Sequence, residues 1–257
     1  MKYITYNVEE RIGYITLNRP EKRNALSQEL VTELKDCFVQ AGLDPGVKVV
    51  VLRARGEAFC AGADLAYLQD LQQYAYAQNL EDSNHLRDLF LTIYTLPKVV
   101  IAQVQGHALA GGCGLATVCD FALAVPEAKF GYTEVKIGFI PALVMVFLIR
   151  KIGEARARHL LLTGSLISAN DALAMGLITQ VVSPDTLEAE VNTLAQKLAS
   201  GNSATSMAMT KQMMAEVQSL PLDEALDYAS HMNAQARATD DCKRGIAAFL
   251  AKEKIMW

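Results

Sequence analysis

The sequence predicts an α/β fold with a helical C-terminal region, and three observations carry that reading. Short apolar runs of strand length recur at residues 47–53, 98–104 and 121–125. Stretches with apolar residues at helical spacing separate them, and the last third of the chain keeps helical spacing throughout. Strands alternating with helices imply parallel pairing, because a parallel connection needs a crossover long enough for a helix.

Each element has a local cause. Residues 3–9 and 12–17 alternate as strands around a turn at Glu10-Arg11, and Asn18-Arg19-Pro20 ends the pattern. Ser27 reads as the N-cap of a helix carrying Leu30, Leu34, Cys37 and Phe38, without a full capping box because Leu30 stands where Glu or Gln would. Asp44-Pro45-Gly46 is a turn into the first buried strand. Residues 65–94 read as largely helical up to Pro97, and 98–104 as a second buried strand. Gly106 and Ala110-Gly111-Gly112-Cys113-Gly114 follow, then an apolar helix to Cys119 and a strand at 121–125. Helices are expected at 153–162, 168–175, 187–199, 202–218, 222–238 and 240–254, with Gly164 and Gly176 as stops. The division this suggests is an α/β core at 1–195 and a helical region at 196–257 within one fold unit.

Composition bounds the function. The 257 residues are 51% hydrophobic with a formal charge of −4, which excludes disorder and leaves no basic excess for nucleic acid. The longest apolar run, 139–149, is too short for a bilayer and ends at Arg150-Lys151. The first 20 residues lack the apolar core of a signal peptide. Five cysteines, odd in number and without C-x-x-C spacing, read as buried thiols of a cytoplasmic protein.

Three segments could carry chemistry. Phe59-Cys60-Ala61-Gly62-Ala63-Asp64-Leu65 joins a strand to a helix; read structurally it is a turn capped by Asp64. Read functionally, its small residues admit a ligand and its helix-start N–H groups face a developing anion. The glycine turn at 105–114 joins strand to helix in the same way. It fits neither a phosphate-binding loop ending in Gly-Lys-Ser/Thr nor a G-x-G-x-x-G fingerprint. Two such turns suggest a paired oxyanion hole. In the third segment, 130–141, Glu134 is a charge in a mostly apolar stretch: either a helix-start carboxylate paired with Lys136 or a proton-transfer group. His85, His107, His159 and His231 show no metal spacing, and His107 reads as a packing residue. Asp120 reads as structural, and no G-x-S-x-G elbow supports a hydrolase triad.

Together these segments resemble the enoyl-CoA hydratase/isomerase (crotonase) superfamily. The resemblance rests on NRPEKRNAL at 18–26, FCAGADL at 59–65, the glycine turn, TEVKIGFIP at 133–141, and Leu162-Thr163-Gly164 with 172–177. It implies a crotonase (ClpP-like) spiral of ββα units with a helical C-terminal trimerisation region, as a trimer or a dimer of trimers. It also implies an acyl-CoA thioester substrate, no separate cofactor and no metal. By position the oxyanion N–H groups would be those of Ala63 and Gly111, and Glu134 matches the family's second catalytic glutamate. CoA would lie against Arg23, Ala25, Ala61, Asp64 and Leu65, with Phe249 and Lys252 reaching it from a neighbouring subunit. Lys22, Arg23, Lys252 and Lys254 would form a basic rim. Tyr67, Leu68, Leu86, Phe90, Pro141, Ala142 and Val144 would line a pocket for a short or branched acyl group.

The family's hydratases carry their first glutamate three residues after the oxyanion glycine, where this chain has Gly114. GGCGL and TEVKIGFIPALV look like a bacterial subgroup described as methylglutaconyl-CoA hydratases. The expectation is therefore a hydratase. The alternatives are a Δ3,Δ2-enoyl-CoA isomerase with Glu134 as sole base, a non-catalytic acyl-CoA-binding relative, and a decarboxylase.

Overall fold

The structure is a computed structural model that describes all 257 residues. Strands β1 (Ile4–Glu9) and β2 (Ile12–Leu17) form an antiparallel hairpin with Ile4 opposite Leu17. Glu10 and Arg11 turn it with φ of 47° and 68°, the left-handed pair that a two-residue hairpin turn requires. Helix α1 (Gln28–Leu43) starts where Ser27 accepts a hydrogen bond from the Leu30 N–H, and leads to β3 (Val49–Ala54). Helices α2 (Leu65–Leu71) and α3 (Tyr76–Thr95) precede β4 (Val99–Val104). Next come β5 (Ala108–Leu109), α4 (Gly111–Val118), β6 (Phe121–Ala124) and β7 (Lys129–Gly131). A short 3-10 turn at Glu134–Ile137 leads to α5 (Ala142–Ile152) and α6 (Glu154–Thr163). Strand β8 (Ile167–Ser168), α7 (Ala169–Met175), β9 (Gln180–Val181) and α8 (Leu187–Gly201) complete the core.

The main sheet has the order β1-β2-β3-β4-β6-β9, parallel from β2 onward, with Ile12, Val49 and Val99 in one row. The register explains the sequence runs: β2 is buried along its whole length, as a strand with helices on both faces must be. A second sheet, β5-β7-β8, stands beside it. Its strands of two and three residues are too short to leave a periodicity, and the sequence reading missed it. Its consequence is local: pairing Ala108 with Phe130 carries the chain after β7 along α4.

One expected element is corrected. The helix expected over 65–94 is two helices, broken at Gln72–Ala75, where the Gln78 side chain accepts the Ala75 N–H at 2.9 Å and starts α3 afresh. Helix α8 continues to Gly201 and packs against β2, β3, β4 and β6. Asn202 ends α8, and Ser203 caps the next helix. Beyond them lie α9 (Ala204–Val217), α10 (Leu222–Ala238) and α11 (Asp240–Ala251). Helix α9 is tied to the core by buried Lys211, whose Nζ meets Asp120 at 2.7 Å and the carbonyls of Ile93 and Lys98 at 3.1 Å. Asp120 thus has the structural role expected of it. No residue of α11 is buried, and Ile246, Phe249 and Leu250 stand open on it. No helix is long and apolar enough to cross a membrane.

Candidate active site

The two strand-to-helix turns are laced together backbone to backbone. The Cys60 N–H donates to His107 O at 3.2 Å, and the Leu109 N–H donates to Cys60 O at 3.0 Å. A Cβ on Gly112 would lie 2.2 Å from Cys60 O, so only glycine allows this approach. Gly62, at φ +92°, packs against Ala110 and Leu109. A third segment sets the orientation of the first turn: the Leu26 N–H donates to Gly62 O at 2.7 Å, and the Asp64 N–H to Leu26 O at 2.9 Å. In an extended segment, alternate peptides face opposite ways. The Ala63 N–H therefore points away from Leu26, and it donates to no carbonyl among the turn and loop hydrogen bonds.

Gly111 opens α4, where the first N–H groups of a helix have no intrahelical acceptor. The residue before it, Ala110, holds φ 49° and ψ −124°, a costly conformation for a residue with a Cβ. It is fixed by the Ala110 N–H bond to Gly131 O at 2.8 Å. Two outward N–H groups, at Ala63 and Gly111, thus sit on turns clamped to each other.

Glu134 comes three residues after Gly131, at the head of the 3-10 turn. Its Oε2 is buried without a hydrogen-bond partner, and burial raises its pKa. Lys136 forms no ion pair with it, which leaves the carboxyl uncommitted. The chain leading to it is held against α4 by the Ala110 N–H bond to Gly131 O at 2.8 Å and by the Thr117 and Tyr132 hydroxyls, 2.7 Å apart.

Space for a second carboxylate is missing. A Cβ at Gly114 would lie 2.4 Å from Val144 Cγ1 and 3.2 Å from Phe90 Cζ. Val144, in the first turn of α5, fills that place. Phe90 is fully buried, with its ring 6.2 Å from that of Phe147, which lies 5.1 Å from Tyr94. Pro141 is buried at the start of α5. The Tyr67 hydroxyl donates to Asp82, and the two line a cleft of about 290 Å³ between α1, α2 and α3.

The sequence profile of the enoyl-CoA hydratase/isomerase family matches residues 7–257. The chain belongs to the enoyl-CoA hydratase/isomerase family. Its relatives include a Thermus thermophilus protein provisionally named an enoyl-CoA hydratase, 43% identical over 94% of this chain and 95% of that one. A crotonyl-CoA hydratase of Syntrophomonas wolfei is 34% identical over 96% and 94% of the two chains. Among solved structures, an enoyl-CoA hydratase of Mycobacterium smegmatis superposes with a TM-score of 0.92 at 32% identity, covering 99% and 98%. The fold is therefore the crotonase α/β fold of that family of enzymes.

The remaining family positions are placed unevenly. The Ala61 N–H donates to Arg23 O at 3.0 Å, so Arg23, buried Ala25 and Ala61 form one edge beside the first turn. Leu65 is exposed at the start of α2. The Asp64 carboxylate is committed: one oxygen caps α2 through the Ala66 N–H at 2.9 Å, and the other pairs with Arg19 at 2.7 Å. Its backbone is engaged as well, the N–H with Leu26 O and the carbonyl with the Leu68 N–H, both at 2.9 Å. Phe249 and Lys252 stand on and after α11, which packs on α9 and α10, and neither is bonded to the turns within one chain.

Sequence reasoning missed Arg19 and Asn24. Asn24 is fully buried at φ 54°; its amide donates to Arg55 O and Ala58 O at 2.8 Å, and its Oδ1 accepts the Arg19 N–H at 2.9 Å. Its signal was available: a left-handed position favours Asn after Gly. His107 is not a packing residue, since its ring is exposed and Nδ1 accepts the Lys129 N–H at 3.2 Å.

The cysteines of the two turns are inert. Burial pushes the Cys60 thiol up to about 12 and the Cys113 thiol up to about 11. In the folded protein at pH 8, iodoacetamide followed by peptide mass mapping is expected to label half-exposed Cys242 and to spare Cys60 and Cys113. Rapid labelling of either with loss of activity would show that a turn cysteine reacts.

Proposed function

We propose that this chain is an enoyl-CoA hydratase acting on a short, uncharged or branched 2-enoyl-CoA. Ala63 and Gly111 supply the oxyanion hole, and Glu134 is the single acid/base. One observation carries the reading: a buried, unpartnered carboxyl oxygen beside two clamped turns with outward N–H groups.

The steps follow from that arrangement. The Glu134 carboxylate takes a proton from water as the water oxygen bonds to C3 of the thioester. The electron pair of the C2=C3 bond moves onto the thioester oxygen, where the two N–H groups meet the enolate. The enolate collapses by taking the proton from Glu134 at C2. One carboxyl thus takes and returns the same proton, and its raised pKa brings it nearer to neutral pH for both tasks. Val144 in place of a second carboxylate favours one other reading, an isomerase in which Glu134 carries a proton from C2 of a 3-enoyl-CoA to C4.

The side chains that the family resemblance assigns to the acyl pocket support this substrate class. Tyr67, Leu68, Leu86, Phe90, Pro141, Ala142 and Val144 include no cation, and Tyr67 brings Asp82 to that wall. The free carboxylate of 3-methylglutaconyl-CoA would lie there unpaired, at a large desolvation cost. CoA would follow the edge of Arg23, Ala25, Ala61, Asp64 and Leu65, with no other cofactor. The open apolar side chains of α10 and α11, Leu222, Leu226, Ile246, Phe249 and Leu250, support a trimer or a dimer of trimers. In it Phe249 and Lys252 would reach a neighbour's CoA, and with Lys22, Arg23 and Lys254 give a basic rim. We place the enzyme in the cytoplasm.

Mass spectrometry of products from crotonyl-CoA, a 3-enoyl-CoA and 3-methylglutaconyl-CoA tests this. Crotonyl-CoA is expected to gain one water, roughly tenfold or more faster than the diacid. A shifted double bond at unchanged mass as the only product would make the enzyme an isomerase, and preference for the diacid would overturn the pocket argument.

Gly114→Glu is expected not to raise hydration. Its Cβ would drive into Val144 and Phe90, and overpacking of that kind costs about 1–3 kcal/mol. A lowered Tm without added turnover is the expected result. Faster hydration at unchanged Tm would show that the site was waiting for a second carboxylate.

A further inference from the structure

Helix α4 and the segment that carries Glu134 are joined at two points. One is the Ala110 N–H bond to Gly131 O at 2.8 Å, at the mouth of the helix. The other is deep in the core, where the Thr117 and Tyr132 hydroxyls meet at 2.7 Å, 3% and 0% exposed. Thr117 has one proton, and Cys113 O, 2.8 Å away, can only accept it. Tyr132 must therefore donate to Thr117. Burial and the neighbouring Cys113 hold the Tyr132 phenol well above its usual range, so it stays a donor. The receiving end is itself fixed, since half-buried Lys151 donates from Nζ to the carbonyls of Thr117 and Cys119 at 2.8 and 2.7 Å. A cation among the last carbonyls of α4 complements the dipole whose other end presents Gly111.

We propose that Tyr132 is a positioning residue for Glu134: its hydroxyl, donated to Thr117, fixes the turn bearing the acid/base against the helix bearing the oxyanion N–H. Tyr132 touches no substrate; it acts two residues along the backbone, where Glu134 begins the 3-10 turn. Catalytic groups lose rate steeply with small displacements, so one bond at this joint has leverage on the chemical step. The inference rests on the proposed role of Glu134.

The test is steady-state hydration of crotonyl-CoA by the full-length protein. Tyr132→Phe is expected to lower kcat about tenfold or more with KM changed less than about twofold, the signature of a contact that serves only the transition state. Thr117→Val, which removes the acceptor, should do the same, while Thr117→Ser, which restores the oxygen, should recover most of kcat. In a Glu134→Gln background, Tyr132→Phe should lower the residual rate no further, because it acts through the missing carboxylate. Wild-type kcat in Tyr132→Phe would overturn the proposal, as would an equal fold-loss in both backgrounds. Should Tyr132→Phe fail to fold, the Thr117→Val and Thr117→Ser pair gives the same decision: equal kcat in the two overturns it. Full activity in Glu134→Gln alone would instead remove the functional reading, whatever Tyr132 does.

Discussion

Glu134→Gln is expected to lower kcat on crotonyl-CoA about 10³-fold, with KM changed less than about threefold. The amide keeps the shape of the side chain and its place in the 3-10 turn, but it can neither take a proton from water nor return one to carbon. Substrate affinity should survive, because the CoA edge and the oxyanion N–H groups belong to other segments. Stability gives an internal control. Burial raises the folded-state pKa of Glu134, so the native state holds the proton at pH values where the unfolded chain has released it. Stability is therefore lost as pH rises through that window, and at neutral pH the ionised carboxyl disfavours the fold. Gln removes the charge, so the variant should melt no lower than the parent. In the wild-type enzyme, turnover should fall on acidification through a pKa above the ordinary glutamate range. Near-normal kcat in Glu134→Gln, or a collapse of kcat that tracks a lowered Tm, would contradict the assignment.

Gly112→Ala should have the second-largest effect. Its Cβ would lie 2.2 Å from Cys60 O and 2.7 Å from Cys60 C. Those are backbone atoms that cannot rotate aside, and Cys60 O is the acceptor that joins the first turn to Leu109. Relief of the clash must part the two turns, and with them the Ala63 and Gly111 N–H groups. Loss of one oxyanion donor costs about 10²–10³ in kcat, so a loss of that size is expected, with Tm lower by about 3–10 °C. Gly201→Ala is the comparison, since nothing lies within 4 Å of a Cβ there. It should leave both quantities unchanged, and equal losses in the two variants would show that glycine content rather than the seam matters.

What could be read from the sequence follows from what leaves a local trace. The hairpin of Ile4–Glu9 and Ile12–Leu17 alternates, and the buried strands are short apolar runs, so both were visible residue by residue. Glu134 was visible as a charge out of place among apolar neighbours. The break between α2 and α3 was not, because Gln72, Gln73, Tyr74 and Ala75 include neither glycine nor proline. The helix expected over 187–199 was legible because its apolar spacing runs unbroken to Ala199, and α8 ends at Gly201. The filling of the Gly114 site by Val144, 30 residues further on, depends on how α5 crosses α4. Asp64 was visible as a cap, but its ion pair with Arg19 joins residues that only the folded loops bring together. Local chemistry was thus legible, and the contacts that decide how much room that chemistry has were not.

The central claim is that one carboxylate adds water across the double bond of a CoA thioester. Crotonyl-CoA incubated in ¹⁸O-labelled water with the wild type and with Glu134→Gln, followed by mass spectrometry of the thioester, tests it most directly. A 3-hydroxyacyl-CoA carrying one labelled oxygen should form with the wild type and be nearly absent with Glu134→Gln. Labelled product at equal rate from both proteins, or crotonyl-CoA left unhydrated by the wild type, would contradict the account.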